Sequence, residues 1–471
     1  MFKPVACGET LPQGNIHAVS VSIPTFRDII SYEEGINSEI KRGYPRFVLH
    51  PYLQKIAIFL EEKYGLKKNQ EVVLVSSSKF ARLICDRYKI KSKIDFKEEF
   101  GVILVEKNSP DLENVLSFIQ HVGCNLSSRY AEDFLFKNRL IKSLHVEEIV
   151  EKEDAKNIII STLSSGYNQP KQNISLSVSG MNAIYAVLKG LQDKRSERDT
   201  IVQLGWLYLD CMNIVKNYSK KAKIFYDVKN LEALEEYLKI EGQRVTAIIT
   251  EVPTNPLLQN VDLRHLKSLC EKHDIALVID ATFATPYNIN LKPYADIMIE
   301  SLTKFACGNA DILMGCFVVN ENSKYSYEDF SQYTDEPYIK DMQRLAFEIQ
   351  GYGSRMKKIN SNSKKLIEYL KTKKFVKKIY FSSFCGVISL TFTKSFEKVY
   401  DTLDFHKGPS LGTEFTLVMP YVYLAHYDLI TCKDGRELLK DNDIPIDLLR
   451  VSVGMENIEA IKKEFDKLDY I

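Results

Sequence analysis

Short apolar runs alternate with amphipathic stretches along most of the chain. Ala276-Leu277-Val278-Ile279-Asp280 is an apolar run closed by a carboxylate, and Ile297-Met298-Ile299 is the next, followed by Ser301-Leu302-Thr303-Lys304. Similar runs lie at Thr200–Val202, Lys223–Phe225, Val245–Thr250 and Cys316–Val319, with helical periodicity between them. This alternation predicts an α/β fold with a mainly parallel central sheet and helices on both faces. A smaller α/β pattern precedes it. Leu53–Tyr64, Ser78–Tyr88 and Pro110–His121 read as helices, and Glu71–Val75 and Val102–Val105 as strands. Residues 1–50 read as irregular and 145–175 as a polar connection. Residues 340–380 read as helical. Beyond them, strands (Val387–Thr391, Leu448–Val453) and a helix (Ile458–Leu468) suggest a smaller α+β C-terminal domain. The expected units are 1–145, an N-terminal segment with an inserted small α/β unit and an active-site arm; 146–335, the large domain; and 336–471, the C-terminal domain.

Composition narrows the class. The chain has 471 residues, too many for one ordinary core. Lys plus Arg is 63 against 62 for Asp plus Glu, so charge gives no case for nucleic acid or an acidic membrane surface. No apolar run reaches the ~20 residues of a membrane span. The nine cysteines form no C-x-x-C pair and the eight histidines no H-E-x-x-H pattern, so no metal site is expected. Unpaired thiols suggest a reducing compartment, and the cytoplasm is the expected location.

The chemistry concentrates at strand ends, where open α/β sheets bind ligands. Asp280 ends one run, and Lys304 follows the next. A lysine amine can hold an aldehyde as a Schiff base, and a carboxylate can keep a pyridine nitrogen protonated. Each residue alone has an ordinary reading, a turn or helix cap for the aspartate and a solvated charge for the lysine. Ser179-Gly180-Met181 enters a helical pattern. Glycine lets backbone approach a ligand there, and first-turn N–H groups attract phosphate. Ser301 and Thr303 add hydroxyls. Tyr208 after one strand can stack on a ring or simply fill a core. Asn255, between Pro253 and Pro256, can donate to a phenolate oxygen or merely shape a turn.

Together these stretches resemble the Cys/Met-metabolism family of pyridoxal phosphate enzymes. The matching motifs are S-G-M-x-A-I from Ser179, E-x-P-x-N-P from Glu251, V-I-D-A-T-F-A-T-P from Val278, and S-x-T-K from Ser301 with Gly308 and Asp311 after it. Ser410-Leu411-Gly412 and the L-R-x-S-x-G-x-E run from Leu449 extend the likeness to the C-terminus. More narrowly, His17–Thr25, Tyr44-Pro45-Arg46-Phe47, Gln120–Gly123, Ser127–Glu132 and Gly408–Thr413 resemble fungal-type cystathionine γ-synthases.

The resemblance implies a fold-type-I, aminotransferase-like architecture and pyridoxal 5'-phosphate as cofactor. It implies Lys304 as the Schiff-base lysine, Asp280 on the pyridinium nitrogen, and Tyr208 stacked on the ring and assisting proton transfer. Gly180, Met181, Ser301 and Thr303 would hold the phosphate, and Asn255 would sit on the cofactor. Arg450 would fork onto the substrate α-carboxylate beside Ser410. The family also clamps phosphate with a Tyr-x-Arg arm from the neighbouring subunit, shortly before S-G-M. Here Tyr44-Pro45-Arg46 has the spacing but precedes the insertion, while Arg129 lies nearer without the tyrosine. Chain order favours Arg129. A second departure is Asn309-Ala310, where many members carry His-Ser.

The expected partners are small amino-acid substrates and a second copy of the chain, as a homodimer or homotetramer with shared active sites. The expected reaction is γ-replacement, joining an activated homoserine ester to cysteine to give cystathionine. Sulfhydrylase, β- or γ-lyase, or γ-substitution with another nucleophile are the alternatives, with a non-catalytic regulatory protein further off.

Overall fold

Seven strands form the central sheet: β1 (Ile174–Ser177), β2 (Thr200–Leu204), β3 (Lys221–Phe225), β4 (Val245–Glu251), β5 (Ala276–Asp280), β6 (Ile297–Glu300) and β7 (Gly315–Val319). The computed structural model describes residues 2–91 and 99–471. The strand order is β1-β7-β6-β5-β4-β2-β3. The strands β2 to β6 pair in parallel. Strand β7 runs antiparallel to both its neighbours, a reversal that apolar periodicity does not encode.

The central strands are apolar throughout because both faces are covered. Every residue of β4 and β5 is buried. Alternation sends successive side chains to opposite layers. Ile248, Leu277 and Ile279 join one core, with Leu266 and Leu269 of the helix Leu263–Lys272. Ala247, Ile249, Ala276 and Val278 join the other, with Tyr185 and Leu188 of the helix Gly180–Lys194.

Two helices lie where none was expected. Lys152–Tyr167 buries Ala155, Ile159, Leu163 and Tyr167, a single i, i+4 row easily lost among polar neighbours. Phe26–Glu33 opens on a capping box between Thr25 and Asp28, the signal that marks it in the sequence.

The smaller C-terminal sheet runs in the order Val376–Phe381, Val387–Phe392, Leu449–Ser452, Leu417–Pro420, His406–Lys407. The inserted unit pairs Gln70–Val75 with Gly101–Glu106 antiparallel. Its core gathers Leu53, Ile56, Leu60, Phe100 and Leu135. Its other face, with Val75, Phe80 and Phe118, merges into the core beside Tyr185. The unit is therefore packed onto the helix Gly180–Lys194 rather than standing apart as a separate lobe.

One contact ties the insertion to that helix's first turn. Gly123 caps the preceding helix, Pro110–Val122, at φ 68°, and its carbonyl accepts from Ser179 Oγ at 2.7 Å. The same Oγ caps the helix by accepting from Asn182 N at 3.0 Å. A Cβ on Gly123 would lie 2.1 Å from that Oγ, so only glycine allows the approach.

Beneath the sheet's end, Glu300 accepts from the hydroxyls of Tyr167 (2.5 Å) and Tyr352 (2.6 Å). Burial pushes its carboxyl up to about 7 from an ordinary 4.5. An acid raised by folding stabilises below its unfolded pKa, and that gain is lost as pH rises through the folded value. Stability is therefore expected to fall between pH 4.5 and about 7. Glu300→Gln should remove this slope. Denaturant melts at pH 5 and pH 8 should show the parent losing up to about 3 kcal/mol relative to the variant.

Candidate active site

The parallel strands deliver their carboxyl ends to one crevice, a cavity of about 520 Å³ that the smaller sheet closes from above. Asp280 ends β5 and pairs in register with Glu251, the last residue of β4. Lys304 lies in the turn after β6, whose Ile299 pairs with Asp280. The cavity brings together Gly180, Met181, Tyr208, Asn255, Asp280, Ser301, Lys304, Ser410 and Arg450. Arg450 comes from the strand Leu449–Ser452 of the smaller sheet.

Lys304 Nζ donates to Ser410 Oγ at 2.9 Å and to the Tyr44 hydroxyl at 3.4 Å. Burial pushes its pKa down. Its backbone is pressed against Gly412, at φ 78°, where a Cβ would sit 3.1 Å from Lys304 Cβ. Ser410, at φ 96°, is a non-glycine residue in the left-handed region, a strain of the kind that collects at functional sites.

Asp280 accepts from Thr282 N at 2.9 Å, and burial raises its pKa. Arg450 is buried, donating to Ser410 O (2.8 Å), Asn255 Oδ1 (3.3 Å) and Met419 Sδ (3.0 Å). None of Lys304, Asp280 and Arg450 has an ion-pair partner among the described residues. Asp280 and Arg450, both buried, and the half-buried Lys304 are thus left for a charged ligand to neutralise.

Gly180 opens its helix against Ser301, and a Cβ on Gly180 would lie 2.8 Å from Ser301 Cβ. The first-turn N–H groups of Gly180 and Met181 have no intrahelical acceptors, which makes the end an anion cradle. Thr303 does not join it. It is not among the residues lining the cavity, and its hydroxyl donates to Met314 O (3.2 Å) and accepts from Met314 N (3.1 Å) inside the turn.

Arg129 is likewise elsewhere. Its guanidinium donates to both oxygens of Glu147 (2.6 and 2.7 Å), to Asp341 (3.0 Å) and to Asp311 O (2.8 Å). It borders a second cavity and not the one around Lys304. The preference for Arg129 as the phosphate arm is therefore corrected: Tyr44 and Arg46 line the Lys304 cavity instead. Arg129→Ala should strand buried carboxylates and cost about 3–5 kcal/mol of fold stability, read from a denaturant melt.

Arg46 donates to Asp210 Oδ2 (2.5 Å), to Gln120 O (2.9 Å) and to the Tyr208 hydroxyl. Burial alone would raise the Tyr44 hydroxyl, but Lys304 and Arg46 outweigh it and hold the hydroxyl below its ordinary value. Sequence reasoning missed Tyr44 as the neighbour of Lys304, and it gave no role to Asp210 or Glu251. Glu251 Oε1 accepts from Tyr208 N at 2.6 Å, while Oε2 has no hydrogen-bond partner. Burial and Asp280 push the Glu251 carboxyl well up. The strand-ending glutamate of E-x-P-x-N-P, one strand from Asp280, was the available signal. Cys307, buried beside Asp311, is a thiol that burial pushes up, unlike a reactive one.

A parallel sheet whose strand ends present a lysine and an aspartate, faced by an arginine from the smaller sheet, around a helix-end anion cradle defines a fold-type-I pyridoxal phosphate enzyme. The chain belongs to the Cys/Met metabolism PLP-dependent enzyme family, whose model matches residues 160–468. It is 34% identical to the L-2-amino-4-chloropent-4-enoate dechlorinase/desaturase of Streptantibioticus cattleyicolor, covering 96% of each chain. It is 24% identical to the cystathionine gamma-synthase of Neurospora crassa, covering 99% of this chain and 98% of the relative. The solved cystathionine gamma synthase from Xanthomonas oryzae pv. oryzae, in complex with aminoacrylate and cysteine, has the same fold. It superposes with a TM-score of 0.59 at 20% identity, covering 67% of this chain and 86% of that one. Among the described residues no helix is long and apolar enough to cross a membrane, and no group of His, Cys, Asp or Glu could hold a metal ion.

Proposed function

We propose that the enzyme removes a substituent from the γ-carbon of an α-amino acid and replaces it with the thiol of cysteine, giving cystathionine from an activated homoserine ester. The observation that carries the reading is Arg450, a buried guanidinium with no carboxylate partner among the described residues, facing the same cavity as Lys304. Such a fork suits an α-carboxylate. It would hold the substrate with its α-carbon toward the lysine amine.

When bound, pyridoxal phosphate supplies an aldehyde for the substrate amine and a ring that withdraws electrons from the α-carbon. The residues present fit it. Gly180, Met181 and Ser301 would hold the phosphate with Arg46, Asp280 would face the ring nitrogen, and Tyr208 would cover the ring. Lys304, its pKa lowered by burial, would take the α-proton at Nζ and return it later. The Ser410 and Tyr44 hydroxyls would aim that amine. At the cavity mouth stand Glu33 and Asp428. Burial and Asp428 push Glu33 up to about 7. An ammonium placed beside Asp428 would draw Glu33 back to its charged form and pair with both, which supports a second amino acid as the incoming group.

The similarity to a dechlorinase/desaturase favours a second reading, loss of the γ-substituent with no incoming thiol. Product analysis by mass spectrometry separates them. O-acetyl-, O-succinyl- and O-phosphohomoserine are each supplied with and without cysteine, and 2-amino-4-chloropent-4-enoate alone. Cystathionine appearing only with cysteine supports replacement, whereas an unsaturated or keto product formed at equal rate without thiol sinks it.

A further inference from the structure

We propose that Trp206, His426 and Tyr421 form a buried chain that positions Arg450, fixing the guanidinium of the smaller sheet against the turn of the central sheet that carries Tyr208. This rests on the reading of Arg450 as the fork for the substrate α-carboxylate. Arg450 has no carboxylate partner among the described residues, but the Tyr421 ring lies against it, with Cζ 5.3 Å from the ring centroid. A ring face attracts a cation, most of all where water is excluded. Tyr421 is 1% exposed and lines the Lys304 cavity. Its backbone is bound to the strand of Arg450. Tyr421 N donates to Leu448 O at 3.0 Å, and Met419, two residues before Tyr421, pairs in register with Arg450. The ring is thus brought beside the guanidinium from its own sheet, and its hydroxyl end is held from the other.

Tyr421 opens the short helix Tyr421–Ala425 and His426 closes it, with His426 N donating to Val422 O at 2.9 Å. The Tyr421 hydroxyl lies 3.5 Å from His426 Nε2, and Trp206 Nε1 donates to the same nitrogen at 3.2 Å. An indole N–H only donates, so Nε2 carries no proton and the imidazole is neutral, protonated at Nδ1. Burial agrees, pushing His426 down to about 4. A neutral ring there anchors the tyrosine without setting a second cation beside Arg450 to compete for the carboxylate. Trp206, the chain's single tryptophan, lies two residues beyond β2 and two before Tyr208. It packs with Leu257 of the central-sheet side and with Met419, Leu439 and Leu448 of the smaller-sheet side in one apolar core. The tryptophan therefore spans the joint between the residue that would cover the cofactor ring and the one that would grip the substrate.

The test is a pair of titrations of the holoenzyme, read from the cofactor's visible absorption. One ligand is homoserine, the other 3-aminopropan-1-ol, the same amine without the carboxylate. Tyr421→Leu should weaken homoserine about tenfold and leave 3-aminopropan-1-ol within about twofold. His426→Phe should weaken homoserine about threefold, and His426→Gln, whose amide oxygen can again accept from Trp206, should recover most of that loss. Placed on top of Arg450→Lys, Tyr421→Leu should cost little more, because residues that act through one another do not add. Equal losses on both ligands, no loss on either, or losses that add in full to those of Arg450→Lys would overturn the proposal. If Tyr421→Leu does not fold, Tyr421→Phe, which keeps the ring and drops its tether, takes its place with an expected loss of about threefold on homoserine alone. An Arg450→Lys variant that weakens both ligands alike would instead reject the reading of Arg450 itself, and the proposal with it.

Discussion

Lys304→Ala should lose turnover by about 10³-fold or more while folding as well as the parent. A positioned general base contributes about 10²–10⁴ in rate, and this lysine is also the expected covalent tether of the cofactor. The fold should be spared for a specific reason. Lys304 is half-buried with no counter-ion among the described residues, so its amine brings the structure no ion pair to lose. Its two contacts are the hydroxyls of Tyr44 and Ser410. Steady-state turnover, the cofactor's visible absorption and a thermal melt together make the check. The expected pattern is lost turnover, an absorption band moved to that of uncoupled pyridoxal phosphate, and an unchanged or higher melting temperature. An unaltered absorption band would remove Lys304 from the centre of the site.

Arg450→Lys should lower kcat/KM by about 10- to 100-fold, mainly through KM, although the charge is kept. The guanidinium is oriented by three acceptors, Ser410 O, Asn255 Oδ1 and Met419 Sδ, which an ammonium cannot reproduce in one plane. An amine analogue lacking the α-carboxylate provides the control. Parent and variant should turn it over, or be inhibited by it, almost equally. A variant that loses as much against that analogue as against the full amino acid would show that Arg450 acts on something other than the carboxylate.

Much of the site was legible because parallel strands place their ends together. Asp280 and Lys304 lie after consecutive apolar runs, and strands that pair in register make such ends converge whatever the intervening turn does. Arg450 was readable only through resemblance, because its strand belongs to another sheet and no local pattern points it at the cavity. The arm was misread for a different reason. Chain order ranked Arg129 above Arg46, but the insertion makes sequence proximity a poor guide to distance. Arg129 is drawn instead to Glu147, Asp341 and Asp311, acidic residues scattered over the chain whose convergence only the fold reveals. Thr303 illustrates a subtler limit. Its type fits a phosphate, yet its hydroxyl bonds both Met314 O and Met314 N across the turn, a pairing no local pattern reveals.

The bond from Ser179 to the Gly123 carbonyl bears on any attempt to shorten this protein. Residues 51–122 precede the central sheet and look like a removable appendage. Excising them would take away the helix that fixes Gly123, the acceptor of the Ser179 hydroxyl, in place, and the Gln120 carbonyl that holds Arg46. A truncated version would have to reinvent both the start of the helix Gly180–Lys194 and the seat of the arm. The insertion is thus an architectural commitment, on which both the phosphate-facing helix end and the arm depend.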